Sequence, residues 1–359
     1  MADNTNAKKQ SKLAAKWEFF KQLKPNEKRH YVGDILFNNA MYIIIVLFVI
    51  VVAIRVPAFL APASIINIVS LTASRMPIAL GVAGCIVLAG TDISAGRAVG
   101  LAAVISGSLL TTANKVFVGM DPLPIGVVIL IVLAVGALIG FVNGFCMAKF
   151  KLHPYIVTLS TQLILYGVIL LYLKMGENNG QTLSSLTEGY RSLVAGTLFT
   201  VSGTAVPMYV LYAVILTAIM WIVWNKTILG KNMFAVGSNE EAANVSGVNV
   251  SRTIITVFII AGVMYALTGF FEGARIASIN GSTGFNYEAD AIAACVIGGV
   301  SFVGGIGKIS GIVVGVLLLQ LIFTGLNFLS VDQNILYIVK GLVILVSCAI
   351  DMRKYLVRK

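Results

Sequence analysis

Apolar stretches of membrane-crossing length recur along this chain from about residue 41 to residue 350, and no other feature restricts its fold as strongly. Ten stand out: 41–56, 76–90, 98–112, 125–148, 155–175, 209–224, 253–271, 289–304, 311–329 and 335–350. Lipid offers no partner to a backbone N–H or C=O, so a crossing segment must be a helix or a strand of a closed barrel. Most of these runs are apolar on all faces and show little alternation, which selects helices over a barrel. Only 11% of the 359 residues are charged, 58% are hydrophobic, and the mean hydropathy is +0.93. A water-soluble domain has no interior large enough for that surface. The expected class is an all-α polytopic membrane protein with about ten transmembrane helices, some broken or re-entrant.

The formal net charge of +11 is not a nucleic-acid footprint, because the basic residues lie at segment ends and in tails, where they set topology. With the N-terminus inside and crossings alternating, nineteen of the 26 lysines and arginines fall on the inner side. Lys340 falls within the last crossing. Arg55, Arg75, Lys115, Lys174, Arg191 and Arg275 fall outside. This bias predicts a basic cytoplasmic tail over 1–40, a transmembrane domain over 41–350 and a second basic cytoplasmic tail over 351–359. It places the loop 225–252 inside. The Gly-, Ser- and Thr-rich loop 176–208 is placed outside, where it can meet an external partner. The charged leader is too long for an ordinary secretory signal and reads as a retained tail. Cys85, Cys146, Cys295 and Cys348 all stand in apolar runs, without CxxC or Cys/His spacing. They read as small buried hydrophobes, not as a disulfide framework or metal ligands.

Two stretches fit a plain helix poorly. The first is VLAGTDISAGRAVGLAA, residues 87–103. Either the upstream helix starts earlier, near Ile65, or two half-helices meet inside the membrane. Asp92, Ser94 and Arg97 are candidates for the translocation path, since ionisable groups at membrane depth are functional by default. The alternative is a turn at the membrane face. Asp92 and Arg97 are five apart, so they are not a helical i,i+4 pair. The second stretch is IGGVSFVGGIGKISG, residues 297–311. It adds Ser301 and Phe302 to the path candidates, and its glycines allow either close helix packing or a break. Its order of small, polar, glycine-rich and basic residues loosely echoes the first stretch, which leaves an internal repeat open. Glu272, Glu288 and Asp290 fall near the outer boundary, where they read as well as rim charges as anything else, and the buried acids are too few for a proton relay. Gly305-Ile306-Gly307-Lys308 imitates part of a phosphate-binding loop. Phe302 stands where its first glycine belongs, however, and Ile309 where it needs Ser or Thr. His30 and His153 lie near membrane edges, and neither a nucleophile elbow nor an HExxH motif is present. No enzyme active site is expected.

The polar gap between two crossings holds GSNEEAANVSG, residues 237–247. Ser238 can act as an N-cap and Glu241, three residues on, can close a capping box. Glu240 and Glu241 suit the positive end of a helix dipole. Ala242 and Ala243 offer a small flat face, and Gly247 a stop. The expected product is a helix of about two turns, marginal in isolation. It serves either as a plug for a partner's groove or as a capped connector.

Taken together, these residues resemble a known family. Glu241-Ala242-Ala243 followed by Gly247 matches the EAA---G signature of permease subunits of ABC importers. GTDISAGRAVGLAA (90–103) resembles the GG-x-D-L-S-x-G motif of the ribose/galactose/arabinose branch. TLSTQLILYG (158–167), the stretch 224–250 and DAIAACVIGGVSFVGGIGK (290–308) are similar to the same branch. The likeness runs from about residue 40 to the C-terminus and is strongest to galactose/methyl-galactoside permeases. Arg97 stands where many of the branch have a small polar residue, and it favours that subgroup. The resemblance implies a pore formed by a permease homodimer and a cytoplasmic ABC ATPase with tandem nucleotide-binding domains. It also implies a periplasmic sugar-binding protein. Ser238, Glu240, Glu241, Ala242, Ala243 and Gly247 would couple the permease to that ATPase. ATP and magnesium would be used by the partner, with no cofactor bound directly here. The localisation implied is the bacterial inner membrane. A ribose, arabinose or xylose permease of the same class and an ion-coupled secondary transporter are the rival readings.

Overall fold

Long uninterrupted apolar runs become helices, and the chain turns where glycine, proline, Asn and Asp gather. In the computed structural model the described residues are 40–356. They form α1 (Ala40–Arg55), a short 3-10 turn (Pro57–Leu60), α2 (Pro62–Val87), α3 (Ala95–Leu109), α4 (Ile125–Phe150) and α5 (Pro154–Leu173). Next come α6 (Glu188–Ala195), a hairpin of β1 (Thr197–Val201) and β2 (Thr204–Pro207), α7 (Tyr209–Lys226), α8 (Ile228–Ser238) and α9 (Glu240–Val245). The chain finishes with α10 (Val250–Ile276), α11 (Tyr287–Ile297), α12 (Ile309–Phe328) and α13 (Gln333–Leu356). Residues through Ile50 form one unit and those from Val51 a second. The described part of the first unit is the opening of α1. Both irregular stretches, the loop 225–252 and the segment 176–208 belong to the second. Most of the basic N-terminal tail, with His30, lies outside the described residues.

Six helices, α2, α4, α5, α7, α10 and α12, are long and apolar enough to cross a membrane. A helix of 26 residues reaches about 39 Å, beyond the roughly 30 Å of a hydrocarbon core. Four of the ten expected crossings fall short of that measure. α1 has 16 residues, α3 has 15 and α11 only 11, and the apolar part of α13 is Asn334–Val346. The crossing expected at 76–90 is corrected to α2, which begins at Pro62 and runs through Arg75 and Pro77. Arg75 is tolerated inside it because Glu272 of α10 lies 3.7 Å away and the ring of Tyr287 is stacked at 3.2 Å. Glu272 is fully buried and also accepts from Arg275 at 2.7 and 2.9 Å, so it is no rim charge.

α10 is the central helix, packed along α4, α3 and α2. Its seam with α4 is made by Gly136, Gly140 and Gly144. A Cβ on the first would strike the Gly262 carbonyl, on the second the Phe258 carbonyl and on the third the Ile255 Cα. The segment 176–208 is pinned at several points. Leu183 N–H donates to the Ile279 carbonyl (2.8 Å), Thr112 N–H to Ser185 (2.7 Å), and the Tyr190 hydroxyl to Phe270 (2.5 Å).

The two irregular stretches share one feature of backbone structure, the way their helices end. At the end of α2, Ala89 N–H donates to Ile86 (2.9 Å) and Gly90 N–H to Cys85 (3.0 Å). At the end of α11, Gly299 N–H donates to Val296 (2.9 Å) and Val300 N–H to Cys295 (2.9 Å). Each is a Schellman cap with a left-handed residue, Ala89 at φ 57° and Gly299 at φ 82°. Cys85 matches Cys295, and Asp92 falls opposite Phe302. The turn at 88–94 leads into α3 and the turn at 298–308 into α12.

Candidate functional site

The short helix between α8 and α10 is built from its ends inward. Its N-cap is Asn239, whose side chain accepts from Ala242 N–H at 2.8 Å. Ser238, expected to cap, is still the last residue of α8, and its hydroxyl donates back to Phe234 at 2.8 Å. Asn239 has the extended backbone a cap requires, φ −163° and ψ 109°, and Asn is as strong a cap as Ser. Glu241 therefore sits one place nearer the cap than a capping box needs. The helix is six residues, about one and a half turns. Glu240 and Glu241 occupy its first turn, as the dipole favours. At its far end Gly247, at φ 83°, donates to Asn244 (3.0 Å) and Val248 to Ala243 (3.0 Å), a third Schellman cap.

The two alanines do not share a face, because neighbours on a helix are about 100° apart. Ala243 is 4% exposed and packs with Val236 and Val250, with Leu88 against that cluster. Ala242 faces out with Glu241 and with Val245, which at 90% is the most exposed large hydrophobic among the described residues. Beside them lies a polar recess of about 800 Å³ lined by Lys151, Glu241, Asn244, Gly247 and Ser251 among others. Lys151, after the end of α4, donates to Glu240 at 2.6 Å.

The path candidates divide into separate places. Asp92 is 1% exposed and accepts from both the backbone N–H (2.9 Å) and the hydroxyl (2.6 Å) of Ser94. Asn143 of α4 donates to the same hydroxyl at 3.0 Å, and Thr161 of α5 donates to Asn143 at 2.6 Å. Thr158 closes on the Thr91 carbonyl at 3.2 Å. The network ties the start of α3 to α4 and α5. Arg97, 7% exposed, points elsewhere. It donates to the Gly281 carbonyl (3.1 Å) and lies 4.3 Å from the Tyr166 ring and 5.2 Å from the Phe285 ring. Ser301 is 1% exposed and organises its own turn, its N–H donating to Ile306 (3.0 Å) and its hydroxyl accepting from Val303 N–H (3.2 Å). Phe302 beside it is half-buried.

The family described as branched-chain amino acid transport system / permease component matches residues 64–348. The chain belongs to this permease family. Among similar proteins, the galactose/methyl galactoside import permease of Haemophilus influenzae is 43% identical over 329 residues, covering 91% of this chain and 97% of the relative. That of Escherichia coli is 43% identical over 326 residues, covering 90% and 96%. The ribose import permease of Bacillus subtilis is 31% identical over 333 residues, covering 93% and 98%. No solved structure matches the chain.

The permease is a multi-pass membrane protein, and several residues of these sites carry weak sequence signals. Asn143 and Thr161 are polar positions inside apolar helices, where a partner on another helix is the rule. Asn239 is a preferred cap standing next to another. Val245 is an ordinary valine in the sequence, and only the structure shows its exposure. The spacing of Gly136, Gly140 and Gly144 is the small-residue pattern of close helix pairs.

Proposed function

We propose that the chain forms the membrane path of an ATP-driven, binding-protein-dependent importer of galactose and methyl galactosides. The observation that carries this reading is similarity along nearly the whole chain. Permeases named for galactose and methyl galactoside are 41–43% identical, whereas ribose permeases are 31–32% identical. In this reading α1, α3, α11 and α13 complete ten crossings, and both termini are cytoplasmic. The segment 176–208 faces a periplasmic sugar-binding protein, two copies of the chain form the pore, and the setting is a bacterial inner membrane. ATP and magnesium belong to a cytoplasmic ATPase with tandem nucleotide-binding domains. That ATPase meets α9 through Glu241, Ala242 and the exposed Val245, with Glu240 and Gly247 shaping the helix and Ser238 and Ala243 behind it.

Arg97 and Phe302 keep their candidacy for the path. Around Arg97 the rings of Tyr166 and Phe285 are 40% and 50% exposed, an aromatic rim suited to passing a neutral polyol. Asp92, Ser94 and Ser301 act in this reading by setting the turns. The test is uptake of radiolabelled galactose by proteoliposomes that hold the permease with its ATPase and binding protein. Uptake is expected to need ATP, to survive collapse of ion gradients, and to be displaced by methyl galactoside but not by ribose. Uptake without any ATPase that vanishes with an ion gradient would move the chain to the ion-coupled class, and displacement by ribose would change the sugar.

A further inference from the structure

We infer that Gly237 is a positioning residue for transport, the joint through which α9 acts on the turns at 88–94 and 298–308 at once. This rests on the reading of α9 as the ATPase-contacting helix. Gly237 is the penultimate residue of α8, is buried, and is separated from α9 only by Ser238 and Asn239. A Cβ added to Gly237 would strike the Val87 carbonyl, at the last residue of α2. A Cβ on Gly304 would strike the Gly237 carbonyl, and one on Gly305 would meet Ser238. Gly305 N–H in turn donates to the Val87 carbonyl at 2.8 Å. Three backbones, from the ends of α2 and α8 and from the turn at 298–308, thus meet at glycines, with only the small side chains of Ala89 and Ser238 beside them. Behind the joint, Ala243 of α9 and Val236 of α8 share one apolar cluster, against which Leu88 of the first turn packs.

A displacement of α9 has little side-chain slack to disappear into on the way to these turns, since packed interiors move between discrete arrangements and do not deform continuously. Each turn opens into a helix, α3 and α12 respectively. One push on α8 therefore reaches the mouths of both. A glycine needed only for close packing would affect folding and nothing else. A joint affects how much sugar moves for each ATP consumed.

The experiment uses the full complex in proteoliposomes with radiolabelled galactose. Gly237→Ala is expected to retain the ATPase on the purified permease and to keep hydrolysing ATP, while galactose imported per ATP falls by about tenfold, within the usual range of coupling between sites. An unchanged ratio overturns the inference. Val245→Asp separates the two claims, because its failure to release the ATPase would sink the docking reading and leave the joint without an input. Should Gly237→Ala not fold, spin labels replace it, placed at Ser238, at Ile306 (49% exposed) and at Leu211 (38% exposed) after removal of Cys146 and Cys348. The Ser238–Ile306 separation is expected to stay constant across nucleotide states while both labels shift relative to Leu211. A change in that separation, or no shift of either label, refutes the joint.

Discussion

The turns at 88–94 and 298–308 leave their helices through the same Schellman cap and then diverge, Ser94 standing at φ −72° where Gly304 is left-handed at φ 90°. In the first the left-handed place is held by Ala89, and the turn is fastened by the carboxylate of Asp92 through Ser94 to α4 and α5. In the second the left-handed places are glycines, at 299, 304 and 305, and the place of Asp92 is taken by Phe302. One turn is held by a polar network reaching two other helices. The other is held by the Ser301 side chain within the turn and by backbone that glycine lets approach closely. The difference teaches that two turns leaving their helices through the same kind of cap can be held by separate means.

The largest effect should come from removing the support peculiar to the first turn. Asp92→Ala strips the acceptor from two buried Ser94 donors, each worth about 1–3 kcal/mol when orphaned. The thermal midpoint in detergent should drop accordingly. A loss within about 0.5 kcal/mol, the range of substitutions that touch nothing special, would mean that the turn holds without its carboxylate. Next in size, Gly299→Ala places a side chain at φ 82° with no atom within 4 Å of the new Cβ, so its penalty is purely conformational, about 1–2 kcal/mol. No loss there would show that the backbone match between the turns is superficial. The smallest effect is the reverse exchange. Ala89→Gly relieves left-handed strain but adds chain entropy to the unfolded state, for a net gain of about 0.5 kcal/mol in the same measurement. Destabilisation instead would point to the Ala89 methyl group as a packing contact.

Legibility in the sequence follows the distance between partners. The six long helices are visible in hydropathy, because burial in lipid acts on each segment by itself. The cap at Gly247 is visible for the same reason, as its hydrogen bonds span six residues. The start of α2 is legible only as one of two readings, near Ile65, because Arg75 looks like a terminus until Glu272 and Tyr287 are brought beside it. The burial of Glu272 is hidden by the same fact. The start of α9 slips by one residue because Ser238 and Asn239 are equally good caps and only the backbone angles choose between them. Asp92 stands out as unusual in an apolar run, yet its partners Asn143 and Thr161 come from other helices and leave no local pattern. The facing of Ala243 inward and Val245 outward depends on Val236 and Val250, which the short helix cannot announce.

The glycine seam between α4 and α10 constrains how such a molecule changes shape. Where carbonyls of one helix sit against the α-carbons of the other, the two backbones are in contact and little side-chain volume lies between them at Gly136, Gly140 and Gly144. Close backbone contact of this kind favours α4 and α10 moving as a single keel, with rearrangement around them taken up at hinges, in the residues that bend between helices.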